Sequence, residues 1–440
     1  MPTVLNLKPE EIDGNVKRSN YTVSVIGCGQ RGILYANAFA EAGFKVICTD
    51  ADPSVVKKVA KGKTPHSEPQ AEAKLKGLVR SGKISASGEV KKAVSQSDII
   101  VIAVAAKVNE QKKTDCSQIV NACKQVGASL RQGSLVIFGG IAGFGFTEGT
   151  VKETLENTSG LKAGQDFGLA YNPILNTQAS LANLQLSVAA ADKTSLDTAA
   201  TILKTITKDV KLISDVKAAE AATRFTVAMQ DTQAALTNEL AVFCEKANID
   251  YFEASKLMGL QNTSFCPSIA EEANKQEAYL LLDSGENLNA KLRLPALARQ
   301  INEDMVKHAV NLTQDALRGC GKTLRRAKVA VLGPAYQASA TEVFVKSIEL
   351  KGAKASVYDP APRNDALDSR VVKNNLNEAL EGADCVVILS PEEQFNHLSL
   401  KKLKALMKAP AVIVDLVGKF EPKQAETEGF IYRGLGRGTG

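Results

Sequence analysis

The residues that most plainly spell chemistry lie near the start of the chain. Gly27-Cys28-Gly29-Gln30-Arg31-Gly32 is a GxGxxG run, and Asp50 closes the next β-rich stretch. A β-rich run precedes the glycines and a helical pattern comes after them, and these contexts give the motif its force. The first glycine permits a tight turn. The second lets the backbone approach a pyrophosphate, and the third lets helix and strand pack closely. Helix N-terminal N–H groups then face the phosphates. A carboxylate at Asp50 accepts from the adenosine ribose hydroxyls and repels a 2′-phosphate, so NAD is expected over NADP, with Asp52 as the fallback acid. A domain of the same build with a vestigial site is the alternative.

Further candidates are scattered. Val104 and Ala105 lie at the end of the strand pattern Asp98–Val104 and join the cofactor-binding set, as does Gly139. The glycines at 139, 140, 143 and 145 come after the strand pattern 134–138. They either approach the nicotinamide half or form a flexible insertion. Cys266 is a candidate nucleophile toward an aldehyde, although lone cysteines are more often buried apolar groups. Asn238 is grouped with it as a catalytic candidate. Asn238, Glu239 and Glu220 position substrate, hold a dimer contact, or form a salt-bridged surface. Arg299 and Asn302 share a helix face and either bind an anionic group or cap a neighbouring segment. Asn172, Arg299 and Tyr336 are the substrate-binding candidates. Lys346 and Lys351 offer a weak phosphate contact. The three histidines, at 66, 308 and 397, lie far apart, and no metal site is expected.

The elements that must carry these groups have a clear rhythm. Tyr21–Ile26, a helix from Ile33 to Glu41, and Lys45–Asp50 make a strand–helix–strand unit. Region 69–95 is expected to be helix and then turns. Strands near 98–104, 134–138, 169–171 and 186–190 continue the alternation. From about 195 to 320 strand signals nearly vanish, and 216–247 is expected to be one long helix. After Gly321 strands return at 328–332, 353–358, 384–389 and 411–416, with a ragged end. The fold is therefore α/β: an N-terminal Rossmann domain at 1–195, a central helical dimerisation region at 196–320, and a C-terminal Rossmann-like domain at 321–440.

Composition sets outer bounds. Lysine plus arginine number 54 against 48 acids, and the excess of six is spread along the chain. With no tryptophan and few aromatics, neither a basic stripe nor a stacking platform for nucleic acid is expected. Eight cysteines without a CxxC pair fit a reducing cytoplasm. The start lacks an apolar signal core, and no eighteen-residue apolar run occurs later, so no membrane span is expected.

Taken together, the chain resembles the nucleotide-sugar 6-dehydrogenase family over roughly 20–420. Beyond GxGxxG, the resemblance rests on Glu68 and Leu75 with Ser81-Gly-Lys-Ile-Ser-Ala86, on Ala219-Glu220, Asn238-Glu239-Leu240 and Arg299-Gln-Ile-Asn302. It also rests on Val329-Ala-Val-Leu-Gly333-Pro-Ala-Tyr336 and Val357-Tyr-Asp-Pro360. It implies NAD in the first domain, a nucleotide-sugar partner in the last, and a homodimer built on the long helix. It further implies a four-electron oxidation of a sugar C6 alcohol, with Cys266 trapping the aldehyde. Several positions depart from the family pattern. Ile174 stands for the acid after Asn172-Pro173, and Thr223 and Val227 stand for a Lys and an Asn. Ser264-Phe265 replace two glycines before Cys266, with Glu271 the nearest later acid. Ala105-Ala106, Gln337, Phe344 and Asp415-Leu416-Val417 also differ. The function implied is an NAD-dependent oxidoreductase of nucleotide sugars. The alternatives are a single two-electron alcohol oxidation on another substrate, or a noncatalytic NAD-binding sensor or scaffold.

Overall fold

Strand and helix alternate through both ends of the chain, and each end builds a mostly parallel sheet. The computed structural model describes residues 3–65, 69–109, 111–174, 180–259, 266–269, 272–334, 339–360, 371–390, 395 and 398–438. Two compact units result: Met1–Thr226 with Tyr279–Leu288, and Val227–Ala278 with Asn289–Gly440. The helical stretch 196–320 is thus divided between them.

The first unit contains β1 (Thr22–Ile26), β2 (Lys45–Thr49), β3 (Ile84–Ser87), β4 (Ile99–Ile102), the short β5 (Lys107–Val108) and β6 (Thr114–Asp115), β7 (Leu135–Phe138), β8 (Gly168–Tyr171), β9 (Gln185–Ala189) and β10 (Asp209–Ile213). Apart from the separate β5–β6 hairpin, they form one sheet in the order β10-β9-β8-β7-β4-β1-β2-β3. Every neighbouring pair in that sheet is parallel except β8 with β9. The central strands β4 and β7, Ile-Ile-Val-Ile and Leu-Val-Ile-Phe, are buried at every position. Alternate residues feed two apolar layers. Val23, Val25 and Ile137 point into one, and Ile26, Ile102 and Phe138 into the other. Both faces must therefore be covered by helices, which is what continuous apolar runs in parallel strands require.

The second unit contains β11 (Lys328–Leu332), β12 (Lys354–Tyr358), β13 (Cys385–Ile388), β14 (Val412–Asp415) and β15 (Ile431–Gly434), all parallel, in the order β12-β11-β13-β14-β15. Helix Arg293–Gly319 packs on this sheet through Ala309, Ala316 and Leu317.

Three expectations are corrected. Region 69–95 is helix Pro69–Arg80, then β3, then helix Val90–Ser95. β10 adds a strand inside the stretch expected to be free of them. Both are edge strands with partly polar composition, which mutes period-two patterning. The C-terminal end is not ragged through 438, because β15 completes the second sheet and Arg437 pairs with Asp250. The long helix is as expected, Val216–Ala247. No described helix is long and apolar enough to cross a membrane.

Candidate functional site

Strand order decides where a ligand can sit in an open parallel sheet. β1 lies between β2 and β4, so the chain crosses to opposite sides of the sheet at β1, and a crevice opens beyond the carboxyl ends of β1 and β4. The GxGxxG turn leaves β1 at that point. Gly27 takes φ +92°, open only to glycine, and a Cβ there would come within 2.9 Å of Val104 Cγ2. Its N–H donates to the Thr49 carbonyl at 2.8 Å, which ties the turn to β2. Gly29 is the N-cap of helix Gln30–Glu41 and provides no side-chain cap. A Cβ on Gly32 would overlap the Gly27 carbonyl oxygen, so only glycine lets the helix seat on the turn. The first turn of an α-helix carries N–H groups without intrahelical partners, directed here at the crevice.

Asp50 closes the cradle. Its Oδ2 accepts the Cys28 N–H at 2.7 Å and its Oδ1 accepts the Asp52 N–H at 2.9 Å. Each oxygen keeps lone-pair capacity for a ribose hydroxyl. The fallback acid is otherwise engaged: Asp52 caps helix Pro53–Ala60 by accepting from the Ser54 N–H at 2.7 Å. The Cys28 side chain is buried. Its hydrogen bond with Cys48, together with burial, holds its pKa well above the ordinary value, so it is an inert packing thiol. Arg31 donates through Nε to the Ile174 carbonyl at 2.9 Å. A cradle that side chains would fill, at a helix N-terminus with a carboxylate across it, fits a dinucleotide.

The loop after β7 is no flexible insertion at its start, where the Gly139 N–H donates to the Ile102 carbonyl at 2.9 Å. Gly139 and Gly140 are buried packing residues. A Cβ on Gly139 would meet the Tyr35 ring at 2.7 Å, and one on Gly140 would overlap the Val104 carbonyl. Tyr35 Oη, 2.6 Å from both the carbonyl oxygen and Oδ1 of Asn172, donates to that residue. Asn172 Nδ2 in turn donates to the Ser187 carbonyl at 2.7 Å. Asn172 is fully buried, so the substrate role expected of it gives way to tying β8 to the helix after the glycine turn. Ile174 and Val227 are core residues, and the Thr223 hydroxyl donates to the Ala219 carbonyl at 2.9 Å. Glu220 is no surface salt bridge either. It is buried, and three donors from the Gly145–Thr147 stretch converge on its carboxylate.

In the second unit the expected anion-binding face of Arg299 and Asn302 is turned inward. Arg299 Nη1 pairs with Asp231 Oδ1 at 2.6 Å, both buried. Asn302 Nδ2 donates to the same oxygen at 2.9 Å. Asn238 Nδ2 donates to Asn302 Oδ1 at 3.0 Å, and Asn238 Oδ1 accepts the Ser268 N–H at 3.0 Å. The set is a buried relay ending two residues beyond Cys266, so Asn238 holds that segment's backbone. Burial raises the Asp231 pKa against the opposing pull of Arg299. Cys266 is exposed rather than a core thiol, and desolvation raises its pKa. Tyr336, Gln337, Ser264, Phe265 and Glu271 lie outside the described residues.

Residues 21–185 match the sequence profile of the UDP-glucose/GDP-mannose dehydrogenase family, NAD binding domain. Residues 334–422 match the same family's UDP binding domain. The chain belongs to this family. It is 26% identical over 431 residues to the UDP-N-acetyl-D-mannosamine dehydrogenase of Pyrococcus horikoshii, covering 94% of this chain and 99% of that one. The solved UDP-D-ManNAc dehydrogenase from Pyrococcus horikoshii superposes with a TM-score of 0.83 at 26% identity, over 95% of this chain and 99% of that chain. The NDP-N-acetyl-D-galactosaminuronic acid dehydrogenase of Methanosarcina mazei Go1 gives 0.75 at 26% identity, over 97% and 98%.

The UDP-glucose/GDP-mannose dehydrogenase family thus accounts for both sheets, and NAD is the cofactor of the first. The second sheet repeats the first at its turn: the Gly333 N–H donates to the Tyr358 carbonyl at 3.2 Å, and Asp359 comes directly after β12 as Asp50 does after β2. Its outer positions serve the interior. Phe344 is buried, and Asp415 accepts from the Phe420 N–H at 2.8 Å and from Tyr432 Oη at 3.1 Å. Lys346 pairs with Glu342 at 2.7 Å. Tyr35, Arg224 and Asp231 escaped the sequence reading. Each sits in a helical run whose pattern does not mark which polar residue faces inward.

Proposed function

We propose that the chain oxidises the alcohol of a nucleotide sugar with NAD. The observation that carries this reading is the Gly27–Gly32 cradle with Asp50 at the strand-order reversal, on a chain whose second sheet matches a UDP binding domain. NAD, when bound, accepts hydride. The chain's own residues bind and orient: helix N–H groups for the diphosphate, Asp50 for the adenosine ribose, Val104 and Ala105 along the crevice. In the four-electron route Cys266 traps the aldehyde, and Asn238 fixes the backbone that bears it. Functional regions at 1–195, 196–320 and 321–440 belong to this proposal. So does a homodimer through the long helix, supported by exposed Met229, Leu236, Leu240 and Phe243, which recur at helical spacing. The eight cysteines, all free, support a reducing, cytoplasmic setting.

A second reading is favoured by the buried Ile174, Thr223 and Val227, which stand where the resemblance implies a carboxylate, an ammonium and an amide and provide none of them. It is a single two-electron oxidation of another alcohol. A panel of UDP- and GDP-sugars with NAD separates the two. Two NADH per sugar, abolished in Cys266→Ala, supports the first. One NADH from a different alcohol supports the second. Saturable NAD binding with no turnover on any substrate overturns both in favour of a sensor.

A further inference from the structure

Glu220 and Arg224 lie one turn apart near the start of helix Val216–Ala247, each 1% exposed, and neither belongs to the glycine turn. We infer that the two are positioning residues for the nicotinamide half of the cofactor site, an inference that rests on the NAD reading of the glycine turn.

Geometry fixes which half they serve. Asp50 comes directly after β2, on one side of β1, and takes the adenosine ribose. The dinucleotide then crosses the β1–β4 crevice, so its other half meets the segments at the carboxyl ends of β4 and β7. Those segments are Val104–Ala105 and the loop from Gly139 to Thr147. The loop's first residues are held by backbone bonds, Gly139 N–H to the Ile102 carbonyl at 2.9 Å and Ala106 N–H to the Ile141 carbonyl at 2.8 Å. Beyond Ile141 no strand ladder supports it, and Gly145 stands at φ +67°.

The two helix side chains bracket this stretch. Arg224 donates through Nη2 to the Ala142 carbonyl. Glu220 Oε2 accepts the Gly145 N–H at 2.6 Å, and its Oε1 accepts both the Thr147 N–H at 2.9 Å and Thr147 Oγ1 at 2.6 Å. Three donors converge on two oxygens, which a carboxylate satisfies and an amide cannot, because an amide presents an NH2 to one of them. Burial raises the Glu220 pKa, while the Thr147 and Gly145 bonds and the Arg224 cation pull the other way. A buried carboxylate is costly unless hydrogen-bonded and paired, and a simple surface helix would not retain one. Its effect is to fix Gly143 to Phe146, the part of the wall that is only half-buried.

The test compares a complete dinucleotide with one lacking the nicotinamide ring. The full-length wild type, Glu220→Gln and Arg224→Met are titrated with NADH and with ADP-ribose, and the nicotinamide fluorescence of bound NADH is read at saturation. Each variant is expected to bind NADH roughly 3- to 10-fold more weakly and to lose fluorescence enhancement, because the wall segment loosens while no direct contact to the cofactor is removed. ADP-ribose should stay within about twofold of wild type, because Gly27–Gly32 and Asp50 are untouched. Equal weakening of both ligands, or unchanged NADH affinity and fluorescence, overturns the inference. Thr147→Val removes only the hydroxyl donor. If the other variants do not fold, it should still show the same selective loss at smaller size, and its absence overturns the inference. A wild type that binds neither ligand refutes the NAD reading instead.

Discussion

Gly32→Ala perturbs the cradle at a single atom. The new Cβ would overlap the Gly27 carbonyl oxygen and lie 3.0 Å from the Gly27 carbonyl carbon, with Val25 Cγ1 at 3.4 Å. Close carbon–oxygen contacts fall at about 3.3 Å, so relieving the overlap with that oxygen makes the helix's first turn retreat by roughly 1.4 Å. Overpacking of this kind costs about 1–3 kcal/mol. Replacing a helical glycine by alanine returns about 1 kcal/mol. The free protein should therefore lose about 0–2 kcal/mol, a fall in Tm of at most roughly 8 °C. Binding should suffer more. The retreat carries the helix N–H groups away from the diphosphate, and each charge-assisted bond contributes about 1.5–3 kcal/mol. The Kd for NAD should rise about 10- to 100-fold by isothermal calorimetry. Gly77→Ala is the matched control. Gly77 also lies within a helix, Pro69–Arg80, but a Cβ there meets nothing within 4 Å. That variant should gain about 0.5–1 kcal/mol and bind NAD as wild type. A Gly32→Ala protein with wild-type affinity, or equal losses in the two variants, would refute the reasoning.

Asp50→Asn keeps the shape but removes the charge that accepts the Cys28 and Asp52 N–H groups. It should weaken NAD about tenfold and lower the preference for NAD over NADP, and an unchanged ratio contradicts the ribose assignment. Arg299→Met leaves the buried Asp231 carboxylate without its cation. Urea unfolding should show a loss of about 3–5 kcal/mol, and a loss under about 1 kcal/mol argues against the relay. Burial pushes the Asp384 pKa up, but the Lys322 ammonium and the Lys328 N–H outweigh it and hold the group below its ordinary 3.8. Its stabilising effect is complete above 3.8 and is lost as pH falls through the lower folded value, because the unfolded chain takes up the proton first. Lys322→Met should shift acid unfolding, monitored by circular dichroism, to higher pH. Coincident curves for the two proteins contradict this.

The cradle was legible in the sequence because its glycines are dictated by backbone geometry. Gly27 needs a left-handed φ and Gly32 needs the absence of a Cβ, so residue type alone marks the place. The buried runs of β4 and β7 and the length of helix Val216–Ala247 were legible for a similar reason, since apolar pattern tracks burial. The polar groups were not. Asn172, Glu220, Asn238 and Arg299 stand out in the sequence, yet each is buried and held by partners far along the chain. Glu220 meets Gly145 and Thr147 across more than seventy residues, and Arg299 meets Asp231 across 68. Local periodicity carries no information about such partners. The edge strands β3 and β10 were missed because only Ile84 among their residues is buried, which leaves no alternating apolar pattern to read.

A crystal structure of the NAD complex tests the dinucleotide site most directly. The diphosphate should lie against the N–H groups at the start of helix Gln30–Glu41, with Asp50 on the adenosine ribose and the nicotinamide beyond Val104. A dinucleotide seated on the second sheet, or a diphosphate displaced from the Gly27–Gly32 turn in fully occupied crystals, would contradict it.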